Sequence, residues 1–237
     1  MLPSRSVTIV ILCALVFVML YGYRTESGIR MGNYFFGESQ HYNITLAEYG
    51  YKLSQFGAVP QQYTSYQLGR IAFIRGEFER ALWYFDRELA LYPRTDQAHY
   101  MKGLTYGYTN REFEGIEEFK IFVERHPENW PSRNDLAWLY FRIGAIEEAY
   151  LAIFPVTQTH AGTPWVENTY GTLLLNKGEY EKAIEAFTRG LATLDKMSES
   201  QWGVAYPGND PRVYKEGLEE MKQSFRDNIE LAQLHRK

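Results

Sequence analysis

Small and apolar positions in this chain recur at a fixed interval. Gly69, Gly103, Ala137 and Gly171 stand 34 residues apart. Seven residues after each comes Gly76, Asn110, Gly144 or Gly178. Ala81, Gly115, Ala149 and Ala183 follow, and then Phe85, Phe119, Ile153 and Phe187. Glycine makes up about 7% of average sequence, so a shared phase of this kind is not accidental. A period of this length is the signature of stacked supersecondary units. Each unit shows two helical patterns around a turn, and Gly or Asn at the turn can take the positive φ that a tight helix-to-helix connection needs. The small residues at 69, 103, 137 and 171 fall in mid-helix, where Gly is disfavoured by about 1 kcal/mol relative to Ala. Close approach of the partner helix is the expected gain. Four 34-residue units are therefore predicted over 62–197, as 62–95, 96–129, 130–163 and 164–197. Pro93 and Pro127 end the first two second helices; Ala161 and Asp195 hold that phase later.

The flanks have different patterns. Residues 24–44 are rich in Gly and polar residues without helical periodicity and suggest a tether. Thr45-Leu46-Ala47-Glu48 has the form of a capping box and predicts a short leading helix within 45–61. Residues 198–209 break the pattern and suggest a loop, in which Trp202 and Tyr206 either pack on the last unit or gate a ligand face. Asp210-Pro211 has the form of a helix start. Beyond it, Tyr214, Leu218, Met221, Phe225, Ile229 and Ala232 share one face, opposite Lys215, Glu219, Lys222 and Asp227. Residues 210–237 are thus an amphipathic capping helix of the kind that repeat arrays need for solubility.

After a tail at 1–6, residues 7–23 carry no charge. As a helix this segment spans about 25 Å, the short end of the range for a bilayer crossing. Tyr21 and Tyr23 stand where an interfacial aromatic belt belongs. A cleaved signal peptide needs small residues at its cleavage site, and Leu20 to Tyr23 fit that badly. A single transmembrane anchor is the expectation. A six-residue tail before a large domain is a common signal-anchor layout, which points to a bacterial inner membrane with the domain in the periplasm.

Composition narrows the function. The net charge of −4 argues against nucleic acid, which leaves a basic footprint on its binders. Cys13 is the one cysteine, so no disulfide or zinc cluster forms within one chain. His41, His99, His126, His160 and His235 include no i, i+4 pair and no metal-ligand motif. Glu117-Glu118 and Glu147-Glu148 stand near helix starts, where acidic side chains suit the helix dipole. Neither a catalytic constellation nor a phosphate loop is found. The expectation is a non-enzyme without metal or cofactor.

These residues resemble the tetratricopeptide repeat family. Its pattern of an aromatic, Leu-Gly, Tyr, Ala, Phe and Pro is met by Leu68-Gly69, Ala81, Phe85 and Pro93, and by Gly103, Tyr106, Phe119 and Pro127. Leu136-Ala137, Tyr140, Gly144 and Ala149 follow, and then Gly171, Gly178, Tyr180, Ala183 and Phe187. The resemblance implies an all-α, right-handed solenoid of four helix pairs. It also implies a concave groove lined by first helices that binds peptides. By position, that groove takes Tyr63, Tyr66 and Arg70, then Tyr100 and Tyr108. Asn134, Trp138, Phe141 and Arg142 follow, and then Trp165, Asn168 and Asn176. Aromatic and Arg anchors commonly dominate interfaces. An Asn side chain can both donate to and accept from a peptide unit. Arg70 and Arg142 are candidates to hold a carboxylate. The function expected is a membrane-anchored scaffold binding a peptide segment of a partner protein, in envelope protein assembly. The alternative is a self-associating structural protein of a membrane complex.

Overall fold

The computed structural model describes residues 5–37, 41–56, 59–205 and 217–236. Among them every regular element is helical. Two units are described in turn, Met1–Thr105 and Tyr106–Lys237.

The first unit holds α1 (Arg5–Gly37), α2 (Ile44–Gln55), α3 (Thr64–Ile74), α4 (Phe78–Leu91) and the start of α5 (Asp96–Tyr108). The tether expected over 24–44 is not irregular, because α1 runs unbroken through Gly37. Two of the glycines that suggested a linker, Gly28 and Gly32, serve helix contact instead. A Cβ on Gly32 would fall 2.6 Å from the Tyr51 ring, and one on Gly28 would fall 2.5 Å from Gly50 O. Helix α2 runs antiparallel to α1. Moving up α1, Arg24 meets Phe56, Gly28 meets Ser54, Asn33 meets Tyr51, and Phe35 meets Asn43. The buried Tyr51 hydroxyl donates to Asn33 Oδ1 at 2.8 Å, and burial pushes its phenol up to about 12. The capping box at Thr45–Glu48 is not formed. Asn43 is the N-cap, its Oδ1 accepting from Leu46 N–H at 3.0 Å. Glu48 turns away to Lys52, Arg75 and Arg80. Three strong cationic partners outcompete one backbone amide for a carboxylate.

Helices α3 and α4 form a packed hairpin around Gly76, whose φ is 73°. Gly69 faces the fully buried Phe85 ring so closely that a Cβ would overlap it.

The second unit continues through α6 (Glu112–Arg125), α7 (Trp130–Arg142), α8 (Ile146–Thr157), α9 (Pro164–Asn176), α10 (Tyr180–Leu194), α11 (Glu199–Ala205) and α12 (Gly217–His235). Asn110, Gly144 and Gly178 turn the chain with φ of 56°, 77° and 74°. Gly171 repeats the Gly69 arrangement, its missing Cβ leaving room for Phe187 at 2.7 Å. The loop expected over 198–209 is helical from Glu199 to Ala205. Trp202 is buried against Gly217, and its Nε1–H points to Met221 Sδ at 3.5 Å. Tyr206, Asp210-Pro211, Tyr214 and Lys215 lie outside the described residues. Leu218, Phe225 and Ala232 of α12 are buried, with Phe225 edge-on to Phe187 at 5.9 Å.

Candidate partner-binding face

Each unit offers its own set of the sequence-selected residues. In the first unit, Tyr63 is the N-cap of α3 in a left-handed conformation, with φ 69°. The buried Glu88 carboxylate holds this turn by accepting from the N–H groups of Tyr63 and Tyr66. The exposed Tyr63 ring meets Tyr66 edge-on at 6.2 Å. Tyr66 also lies against Phe85, and burial pushes its phenol above the usual range. Arg70 is held by contacts within the unit. Its guanidinium covers Phe36 of α1 at 4.7 Å and Tyr66 at 5.9 Å, and Nη1 donates to Gln67 Oε1 at 3.0 Å. Tyr100 is a core residue, 8% exposed, rather than a surface anchor.

In the second unit, two aromatic pairs lie along the first helices. Trp138 stacks on Phe141 at 5.2 Å and 21°, and Trp138 stays 41% exposed. Trp130 and Trp165 stack at 5.9 Å and join the starts of α7 and α9. Trp130 was not among the selected residues. Its signal was its place at a unit start, one period and one residue before Trp165. Tyr108 and Asn176 are exposed, and Asn176 Nδ2 donates to Thr172 O at 2.8 Å.

The two asparagines that share a phase differ. Asn134 is buried, and its Oδ1 accepts from Thr169 Oγ1 at 2.7 Å, tying α7 to α9. It is a structural tie and not a ligand contact. The neighbouring Asn168 keeps a buried Oδ1 without a hydrogen-bond partner among the described residues. A buried acceptor left unpaired is disfavoured by about 1–3 kcal/mol.

Arg142 likewise belongs to the scaffold. Nη1 donates to Gly107 O at 2.8 Å, and Nη2 to Asn110 Oδ1 and Glu112 Oε1, both at 2.6 Å. Its charge is neutralised by Glu112, so the carboxylate-holding role expected of it falls away. Among the described residues no group of three or more His, Cys, Asp or Glu side chains comes together to hold a metal ion.

Packed helical hairpins, positive-φ turns and glycine–phenylalanine contacts define an all-helical fold of the tetratricopeptide type. No family model matches the chain, and no curated protein matches it. Among solved structures it is similar to MamA. The crystal structure of MamA protein aligns with a TM-score of 0.63 at 16% identity, over 74% of this chain and 94% of that one. The MamA RS-1 ArsTM double mutant gives 0.66 at 17%, over 73% and 96%. MamA AMB-1 gives 0.60 at 17%, over 76% and 94%. At such identities the likeness is one of fold.

Proposed function

We propose that this chain is a membrane-anchored tetratricopeptide scaffold of four helix pairs in a right-handed solenoid. Its first-helix face in the second unit binds an extended segment of a partner protein. The observation that carries the reading is the stacked Trp138–Phe141 pair, whose indole stays in solvent although it has an aromatic neighbour to pack on. A rigid, half-exposed aromatic pair is the sort of anchor that dominates interfaces. Tyr108 adds a further exposed ring. The anchor is supported by α1, the one helix among the described residues long and apolar enough to cross a membrane. Tethering raises local partner concentration, so modest affinity suffices. Envelope assembly, with the repeats in the periplasm, is the setting this layout suits.

The test is crosslinking in native membranes from a photoreactive residue at position 138, with a second probe at the exposed Leu151 of α8 as control. A partner adduct formed from 138 and not from 151 is the expected result. Equal adducts from both positions, or none from 138, overturn the reading.

A second reading, self-association, is favoured by one observation: Leu151 and Phe154 leave an apolar exposed patch on α8. Self-adducts from 151 together with concentration-dependent mass would select it.

A further inference from the structure

Helix α1 carries two environments on one unbroken rod. Its 33 residues extend roughly 50 Å. Its first half presents Ile9, Val10, Leu12, Leu15, Val16 and Val18 outward, all exposed. Its second half is packed on α2, with Gly28 and Gly32 against Gly50 and Tyr51. No linker separates the apolar rod from the folded unit. The unit therefore cannot stand off from whatever surface the apolar half enters.

The antiparallel course of α2 then fixes which end of the unit meets that surface. The C-terminal end of α2 returns to the level of Arg24. Arg24 Nε donates to Phe56 O at 2.6 Å, and the guanidinium lies over the Tyr21 ring at 3.3 Å from its centroid. Phe56 is 70% exposed and Val59 71%, and Leu53 is exposed one turn back on α2. Phe56 and Val59 leave most of their apolar surface outside the packing of the unit. At the same end, α4 finishes at the exposed Leu91, and Tyr92 OH donates to Pro60 O at 2.8 Å. The opposite end is the turn after Ile74, where Arg75 pairs with Glu48 at the start of α2.

We propose that this end of the first unit is itself a membrane-contact surface. Leu53, Phe56 and Val59 rest in the headgroup layer of the bilayer that α1 crosses, and Tyr21, Tyr23 and Arg24 mark the same depth. The occupant is a phospholipid interface. Aromatic rings and Arg beside a span are the side chains that this layer favours, and apolar side chains reach about 5–10 Å into it. Continuity with α1 selects the bilayer over a protein partner. A partner would have to reach a surface already held at the depth of the span's last turn. The first unit is then oriented relative to the membrane, with the Gly76 turn pointing away from it.

This rests on the membrane-span reading above, and the experiment separates the two. The full chain is placed in phosphatidylcholine–phosphatidylglycerol vesicles and labelled with an environment-sensitive fluorophore. In the parent the label goes on the native Cys13. In a Cys13→Ser background it goes on Phe56→Cys, Val59→Cys or Ile74→Cys, all exposed positions. Lipids carrying a nitroxide quencher at shallow or deep acyl positions report depth. The expected result is deep quenching at Cys13, shallow quenching with a blue shift at 56 and 59, and water-like emission at 74. If Cys13 escapes the deep quencher, the span reading fails and this one with it. If Cys13 is quenched while 56 and 59 emit as in water, the span stands and the contact surface is overturned. Equal quenching at 56 and 74 overturns the orientation.

Discussion

Glu88 Oε1 accepts the Tyr63 N–H at 2.6 Å across 25 residues of chain, and the carboxylate is fully buried. The other oxygen accepts from Tyr66 N–H at 3.1 Å, and Thr95 Oγ1 donates to the first at 3.2 Å. One side chain on α4 thereby caps the start of α3, where free amides and the helix dipole favour a negative charge. Glu88→Gln keeps the shape and removes the charge. A loss of about 1.5–3 kcal/mol is expected, as for hydrogen bonds to a charged group. Urea unfolding checks it, and a midpoint equal to the parent's would show that the charge is immaterial.

Gly171 tests whether the small-residue phase is set by contact. A Cβ there would lie 2.7 Å from Cε1 of the fully buried Phe187. Gly171→Ala gains about 1 kcal/mol of helix propensity but overpacks the hairpin by about 1–3 kcal/mol. A net loss of melting temperature is expected. Gly107→Ala is the control. Its Cβ would meet only Leu139 Cδ2, at 3.1 Å, a terminal methyl that can shift. That variant should melt at or above the parent. If both glycines tolerate Ala equally, helix contact does not explain the phase.

Glu48 gives the first unit a pH dependence. Burial pushes its carboxyl up, but hydrogen bonds and charge from Lys52 and Arg75 outweigh that and hold it below its ordinary 4.5. A carboxyl depressed in the folded state contributes stability that is present above its unfolded value and is lost as pH falls through the folded one. Stability should therefore decline as pH drops below about 4.5, the unfolded value. Glu48→Gln should be less stable than the parent near neutrality and should approach it in acid. Melts from pH 7 to 3 measure the gap, and a gap that stays constant across that range contradicts the assignment.

The periodic part of the sequence carried its structure openly. Gly76, Asn110, Gly144 and Gly178 all adopt the positive φ that their phase suggested. Helices α4, α6, α8 and α10 begin at Phe78, Glu112, Ile146 and Tyr180, each 34 residues after the last. The second half of α1 was hidden for a physical reason. Gly28 and Gly32 break helices by propensity, yet here they admit Gly50 and Tyr51, a tertiary gain invisible to a local window. A signal did exist. Ala47 and Tyr51 stand one period before Ala81 and Phe85, and α2 begins at Ile44, one period before α4. The candidate face was less legible. Phase located Trp138 on exposed surface, beside the partly buried Phe141. It did not tell Asn134, tied to Thr169, from Asn168, left unpaired. Nor could it show where long side chains reach, such as Arg142 to Glu112 and Arg70 to the Phe36 ring.

Arg142 makes the last of these points testable. Among the four turn residues of the period, Asn110 alone is not glycine, yet its φ is 56°. A left-handed conformation is unfavourable for a residue with a Cβ, though Asn tolerates it better than most. Arg142 Nη2 donates to Asn110 Oδ1 at 2.6 Å while Nη1 donates to Gly107 O at 2.8 Å, so one guanidinium pins the turn from both sides. Arg142→Ala should destabilise the second unit by about 1–2 kcal/mol, toward the low end of charge-assisted bonds because the pair is partly exposed. The loss should shrink in an Asn110→Gly background, where the turn needs no pin and no side-chain oxygen is left unpaired. A double-mutant cycle reads the coupling directly. Coupling of about 0.5 kcal/mol or more between the two positions is expected. Strictly additive losses would mean that Arg142 acts through Glu112 and Gly107 alone, and that the asparagine turn holds its conformation unaided.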